Sequence, residues 1–309
     1  MLYDVIIVGG GPAGLSAAML LGRCRRKVLL FDRGKQRNRW SDAMNGFITR
    51  DGIAPKEFLN ITRNELTKYD ITLLDKKVED IGHDKNNFKV TDKEGNVYES
   101  RKLLLATGLR DKLPKIEGIE EFYGKSIHHC PYCDGWESQD KKLAAYGKNR
   151  DGIGLALSLK TWSPDVVLLT DGTNRLSKKD MAKLQLHNIT VCTNAITRLE
   201  GEGGKLHRII FSNSEVMERD AIFFSTGTEQ QSHLPRQLGC EFTSKGVIRT
   251  KGLQHTNQKG LYVAGDAARD VQLVIVAAAE GTRAGVAINM ELQEEDRELY
   301  EQQVKAEQD

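Results

Sequence analysis

The 309-residue chain lacks any apolar run long enough to cross a bilayer; its opening, MLYDVIIVGGGPAGLS, holds a short apolar stretch with no basic segment before it. A membrane span and a signal peptide are therefore not expected, and a cytoplasmic protein without membrane attachment is the expectation. No charge sign dominates, with 45 basic residues against 43 acidic ones and a net charge of +2. Without a basic block to meet phosphates, a nucleic-acid partner is not expected either. The short run Arg23, Arg25, Arg26 and Lys27 reads as a solvated helix end. Cysteine is scarce: five residues, at 24, 130, 133, 192 and 240. So sparse and odd a set argues against a disulfide scaffold and leaves the close pair, Cys130 and Cys133, as the candidate for chemistry. Long low-complexity tracts are missing too, and the charged end ELQEEDRELYEQQVKAEQD reads as an exposed helix that frays.

What is present is a βαβ unit at the start. Asp4 to Val8 is rich in β-branched residues and runs into Gly9-Gly10-Gly11-Pro12-Ala13-Gly14; an apolar helix pattern follows, and a second apolar strand, KVLLFD, ends on Asp32. Gly9, Gly11 and Gly14 have the Gly-x-Gly-x-x-Gly spacing. Gly9 permits the tight turn, Gly11 lets a pyrophosphate approach the backbone, and Gly14 lets helix and strand pack closely. The helix N-terminus offers free N–H groups to the phosphates, and Asp32 stands where a carboxylate accepts from an adenosine ribose.

A length of 309 residues suits about two domains. A hairpin or meander with a KEGN turn follows the first unit, and near residue 141 the strand, glycine turn, helix, strand pattern restarts before a second meander. The halves repeat each other in plan, which suggests duplication. The pair in HCPYCDGWE could hold a metal, lock a structure or exchange electrons. Zinc sites usually need four ligands, no second Cys-x-x-Cys occurs, and the adjacent His128 and His129 would point apart, so no metal is expected. A structural disulfide suits a reducing compartment poorly, and redox exchange leads.

Five segments in order, VIIVGGGPAGLSAA, LLLATG, CPYCDG, FFSTG and GLYVAGDA, make the chain resemble the low-molecular-weight thioredoxin reductases over nearly its whole length. The resemblance implies an α/β fold of two Rossmann-like, three-layer ββα dinucleotide-binding domains, the second inserted in the first. An FAD-binding domain of residues 1–112 and 245–309 would enclose a smaller NAD(P)-binding-like domain, 113–244, carrying the cysteine pair. FAD would be held by Gly9, Gly11, Pro12, Ala13 and Gly14, by Asp32, Arg33 and Asn38, by Ala106, Thr107 and Gly108, and by Gly265 and Asp266. Gln272 and Leu273 stand where relatives carry an arginine-glutamine pair against the flavin. By the same resemblance Cys133 would face the flavin, Cys130 would meet substrate, Asp134 would exchange protons with the thiols and His129 would tune Cys130. A homodimer is also implied.

The second glycine loop departs from that pattern. Gly147 and Gly152 hold the outer positions but Asn149 takes the middle one, and Thr170-Asp171 replaces the histidine and arginines of NADPH-using relatives. A side chain at 149 obstructs a pyrophosphate, and Asp171 repels a 2'-phosphate, so NADPH and NADH are doubtful cofactors. Such losses resemble the dithiol oxidases of gliotoxin and holomycin biosynthesis, as does the segment RNRWSDAMNGFITRDG, although Asp134 is reductase-like. The leading expectation is an FAD enzyme that oxidises a small-molecule dithiol and passes electrons to oxygen. The alternatives are an NAD(P)H-dependent reductase of thioredoxin or a small disulfide, and a flavin redox sensor that does not turn over.

Overall fold

The βαβ opening read from the sequence lies at the centre of a seven-stranded sheet in the computed structural model, which describes all residues except 85, 86, 149, 174, 175, 270 and 309. The sheet runs Ile71–Leu74, Val28–Phe31, Leu2–Val8, Val97–Leu105, Asn87–Asp92, Val78–Asp84, and Leu261–Val263 also pairs with Val97–Leu105. Its buried strands are parallel and nearly all apolar, as strands covered on both faces must be. The hairpin read at KEGN is there, joining Asn87–Asp92 to Val97–Leu105. Register sets up the site: Val8 lies opposite both Phe31 and Leu105, and Leu105 opposite Val263. Gly9, Asp32, Ala106 and Ala264 therefore emerge side by side at the carboxyl ends of these parallel strands.

The helix Pro12–Arg23 packs on the 35-residue helix Val274–Gln308. A side chain on Gly281 would run into the Ala13 backbone, so small residues allow the close approach. The charged tail is the continuation of this helix, and its middle is tied down: Arg26 and Arg101 reach Asp296 at 2.6 and 2.7 Å, and the buried Lys102 reaches Glu291 and Glu295 at 2.8 and 2.6 Å. Arg26 is thus an anchor for the helix rather than a solvated charge.

The second sheet is parallel, in the order Thr190–Cys192, Val166–Leu169, Leu143–Tyr146, Ala221–Phe224, Ile127–His128, and a three-stranded antiparallel sheet of Ile196–Glu202, Lys205–Phe211 and Val216–Glu218 accompanies it. Contacts divide the chain into one unit of 1–37, 56–110 and 229–309 and another of 38–55 and 111–228. The segment 38–55 groups with the second unit. The segment's affiliation has a local cause: the Asn45 amide donates to the Cys133 carbonyl at 2.9 Å, and Trp40 lies against Gly124. No helix among the described residues is long and apolar enough to cross a membrane.

Candidate active site

In the first unit the glycines separate by cause. Gly9 has φ +118°, and a Cβ there would meet the Ala106 carbonyl; one on Gly14 would meet the Gly9 carbonyl. Both glycines are demanded by the fold. Gly11 is not: its backbone is extended, at φ −82° and ψ −177°, and nothing among the described residues lies within 4 Å of a Cβ placed on it. It caps the helix begun by Pro12 and Ala13, whose first turn has no acidic side chain and no side-chain cap, so the backbone N–H groups there are left to a ligand. The hydroxyl oxygen of Thr107 is buried without a hydrogen-bond partner among the described residues, beside Gly108 at φ +65°. An anion cradle at Gly11 and an unpaired buried hydroxyl fit a dinucleotide.

Most of the other residues read from the sequence lie in the same unit, with partners that it did not reveal. Asp32 is buried and accepts from the Gly34 N–H at 2.9 Å, the Gln36 amide at 2.8 Å and Arg63 at 2.5 Å. Arg33 donates to the Gln231 side chain at 2.6 Å. Arg37 links Asp266, at 3.1 Å, to Gln272, at 2.5 Å, and Gly265 donates its N–H to Glu280 at 3.0 Å. Leu273 accepts from Ala277 at the head of the long helix. Asn38 is placed with the second unit, where its carbonyl accepts from Ser41.

In the second unit Cys130 and Cys133 form a disulfide, with Cα atoms 5.3 Å apart. Cys130 caps the single helical turn Pro131–Asp134, and its carbonyl accepts from the N–H groups of Cys133 and Asp134 at 3.1 and 3.2 Å. Gly135 is required because a Cβ there would strike Trp162. Tyr132, between the cysteines, and Trp136, beyond them, are 78% and 69% exposed. The two histidines do diverge: Nδ1 of the buried His128 lies 3.4 Å from Asp134, while that of His129 lies 3.7 Å from the buried Asp111, which also accepts from the Tyr123 hydroxyl at 2.6 Å. Asn45, Asp111, Tyr123 and His128 were not legible as site residues. The described residues contain no group of three or more His, Cys, Asp or Glu side chains placed to hold a metal.

The second glycine loop keeps what packing needs. Gly147 and Gly152 touch so closely that a Cβ on either would strike the other's backbone. Asn149 lies outside the described residues. At the end of the next strand, Asp171 accepts from the Tyr146 hydroxyl at 2.7 Å and the Ile196 N–H at 2.9 Å, and pairs with Lys148 at 3.0 Å. Burial opposes its ionisation, but the Ile196 N–H, the Tyr146 hydroxyl and Lys148 together hold the carboxyl below its ordinary range. Burial, with the neighbouring Asp171 carboxylate, pushes the Tyr146 phenol well up.

With two such units, a glycine cradle and a Cys-x-x-Cys disulfide, the chain belongs to the pyridine nucleotide-disulphide oxidoreductase family, whose model matches residues 3–281. It is a thioredoxin reductase-like oxidoreductase acting on disulfides, and family membership implies FAD. A protein of Arthroderma benhamiae named "Probable thioredoxin reductase" is 34% identical over 95% of this chain and 81% of its own length. The crystal structure of TrxB from Bacillus anthracis is similar at 37% identity and TM-score 0.91, covering 95% of this chain and 99% of that one. That of HlmI is similar at 33% identity and TM-score 0.94, covering 98% and 96%.

Proposed function

We propose that the chain is an FAD-dependent dithiol oxidase: Cys130 and Cys133 accept two electrons from a small-molecule dithiol, and dioxygen is the final acceptor. The carrying observation is the Asp171 cluster. The loop retains the glycines that packing demands, while the end of the strand that would greet a pyridine nucleotide holds an ionised carboxylate engaged by Tyr146, Lys148 and Ile196. A 2'-phosphate would meet that negative charge, which disfavours NADPH as the electron source.

Gly9, Gly11, Pro12, Ala13, Gly14, Asp32, Thr107 and Asp266 are the residues that would hold FAD. FAD, when bound, supplies a two-electron acceptor that reoxidises the cysteine pair and can be reoxidised by dioxygen. At the disulfide, a substrate thiolate attacks Cys130 and the S–S bond breaks, with Cys133 leaving as thiolate. The second substrate thiol then displaces Cys130 from the mixed disulfide. Two electrons and two protons pass from substrate to enzyme, and the net reaction is dithiol plus dioxygen to disulfide plus hydrogen peroxide. Asp134 and His129 are the proposed proton carriers beside the sulfurs. A homodimer and a cytoplasmic location belong to the same proposal through the family resemblance; a thioredoxin-like protein would be the substrate only under the alternative, an NAD(P)H-dependent disulfide reductase.

The test is anaerobic flavin absorbance during titration with dithiothreitol, NADPH and NADH, followed by admission of air. Bleaching by dithiothreitol alone, with recovery in air, is the expected result. Bleaching by either pyridine nucleotide would overturn the oxidase reading in favour of a reductase.

A further inference from the structure

We infer that His128 is a positioning residue that shares a proton with Asp134, so that the acid-base group beside the disulfide is a two-residue couple. The inference rests on the proposed exchange at Cys130 and Cys133. Three observations carry it. The His128 ring is buried, tilted against Phe223 with centroids 5.2 Å apart, and its Nδ1 lies 3.4 Å from the largely buried Asp134 carboxylate. Both partners are fixed by backbone: His128 pairs with Phe223 in the parallel sheet, and the Asp134 N–H donates to the Cys130 carbonyl at 3.2 Å. The other histidine is engaged elsewhere, with Asp111 and so with Tyr123. Around the couple lie Cys130 and Cys133 in the same turn and the Phe223 ring from the adjoining strand, while His129, with Asp111 and Tyr123, packs against Phe224.

The chemistry gives the pairing a purpose. A substrate thiol must surrender its proton, and a lone carboxylate is a weaker base for it than an imidazole. With His128 at its side, Asp134 can receive the proton while the ring bears part of the charge, and can return it to a cysteine thiolate as the S–S bond breaks. No electrons enter or leave through the couple.

The test is the rate at which dithiothreitol reduces the Cys130–Cys133 disulfide in the holoenzyme from about pH 5 to pH 9, trapped by alkylation and read by mass spectrometry. His128→Asn is expected to lose on the order of tenfold at neutral pH, less than the roughly 10²–10⁴ of a whole acid-base group, and to change the shape of the pH profile. His128→Asn in an Asp134→Asn background is expected to cost no more than Asp134→Asn alone. A uniform loss at every pH, or additive losses in the double variant, would overturn the couple. If His128→Asn does not fold, His128→Gln is measured in its place; a pH profile of the same shape as the parent's would refute the inference just as well. Disulfide reduction that leaves the flavin oxidised would instead sink the oxidase reading and leave the couple standing.

Discussion

Replacing Gly11 by alanine should leave the apoprotein at least as stable as the parent while weakening its hold on FAD. The backbone at Gly11 is extended and no described residue crowds a Cβ there, so the methyl group introduces no strain in the fold. By restricting the unfolded chain it should add about 0.4–1 kcal/mol of stability. If a pyrophosphate rests against this turn, the same methyl displaces it from the helix N-terminus. Losing one charge-assisted hydrogen bond, about 1.5–3 kcal/mol, weakens binding roughly 10- to 100-fold. Gly9→Ala is the control with the opposite signature. At φ +118° an L-residue costs about 1–3 kcal/mol from the backbone alone, and the overlap with the Ala106 carbonyl adds to that. Fluorescence titration of apoprotein with FAD gives the affinities, and urea unfolding of the same apoproteins gives the stabilities. The reasoning is refuted if Gly11→Ala binds FAD like the parent, or if its apoprotein is as unstable as that of Gly9→Ala.

Cys133→Ser should abolish flavin reduction by dithiothreitol under anaerobic conditions, because the exchanging pair no longer exists; unchanged bleaching would exclude the pair from the electron path. Asp171 is held below its ordinary pKa against the opposing effect of burial, so it stabilises the fold above the unfolded-state value of about 3.9, and that contribution is lost as pH falls through its lower folded value. Asp171→Asn should therefore flatten the fall in stability between neutral pH and about pH 3, measured by urea unfolding; parallel curves would contradict the assignment. Burial pushes the Cys240 thiol up to about 11, so native protein at about pH 8 should be alkylated by iodoacetamide at the exposed Cys24 and not at Cys240. Peptide mass mapping decides this, and labelling of Cys240 at the Cys24 rate would show that it is not buried. The same raised pKa makes stability decline as pH rises from about 8.5 toward that value.

The sequence alone determined whatever depends on neighbours along the chain. The glycine spacing at 9, 11 and 14, the apolar strands that flank it, the KEGN hairpin and the Cys-x-x-Cys turn were all legible, because turn geometry, helix capping and strand pairing at a hairpin are settled within about ten residues. Even the contrast between Gly11 and position 149 could be read as one intact and one altered approach to a backbone. What the tertiary structure decided is who neutralises whom. Arg63 reaches Asp32 across 31 residues, Arg37 reaches Asp266 across 229, and Asn45 reaches the Cys133 carbonyl across 88. No periodicity announces such pairs, since a charged side chain on one element carries no mark of the element it will meet. The segment 38–55 joined the second unit for the same reason, its contacts lying far from it in sequence. His128 and His129, identical neighbours in the chain, became different groups only because the chain leaves the strand Ile127–His128 between them, one ring lying against Phe223 and Asp134 and the other against Phe224 and Asp111.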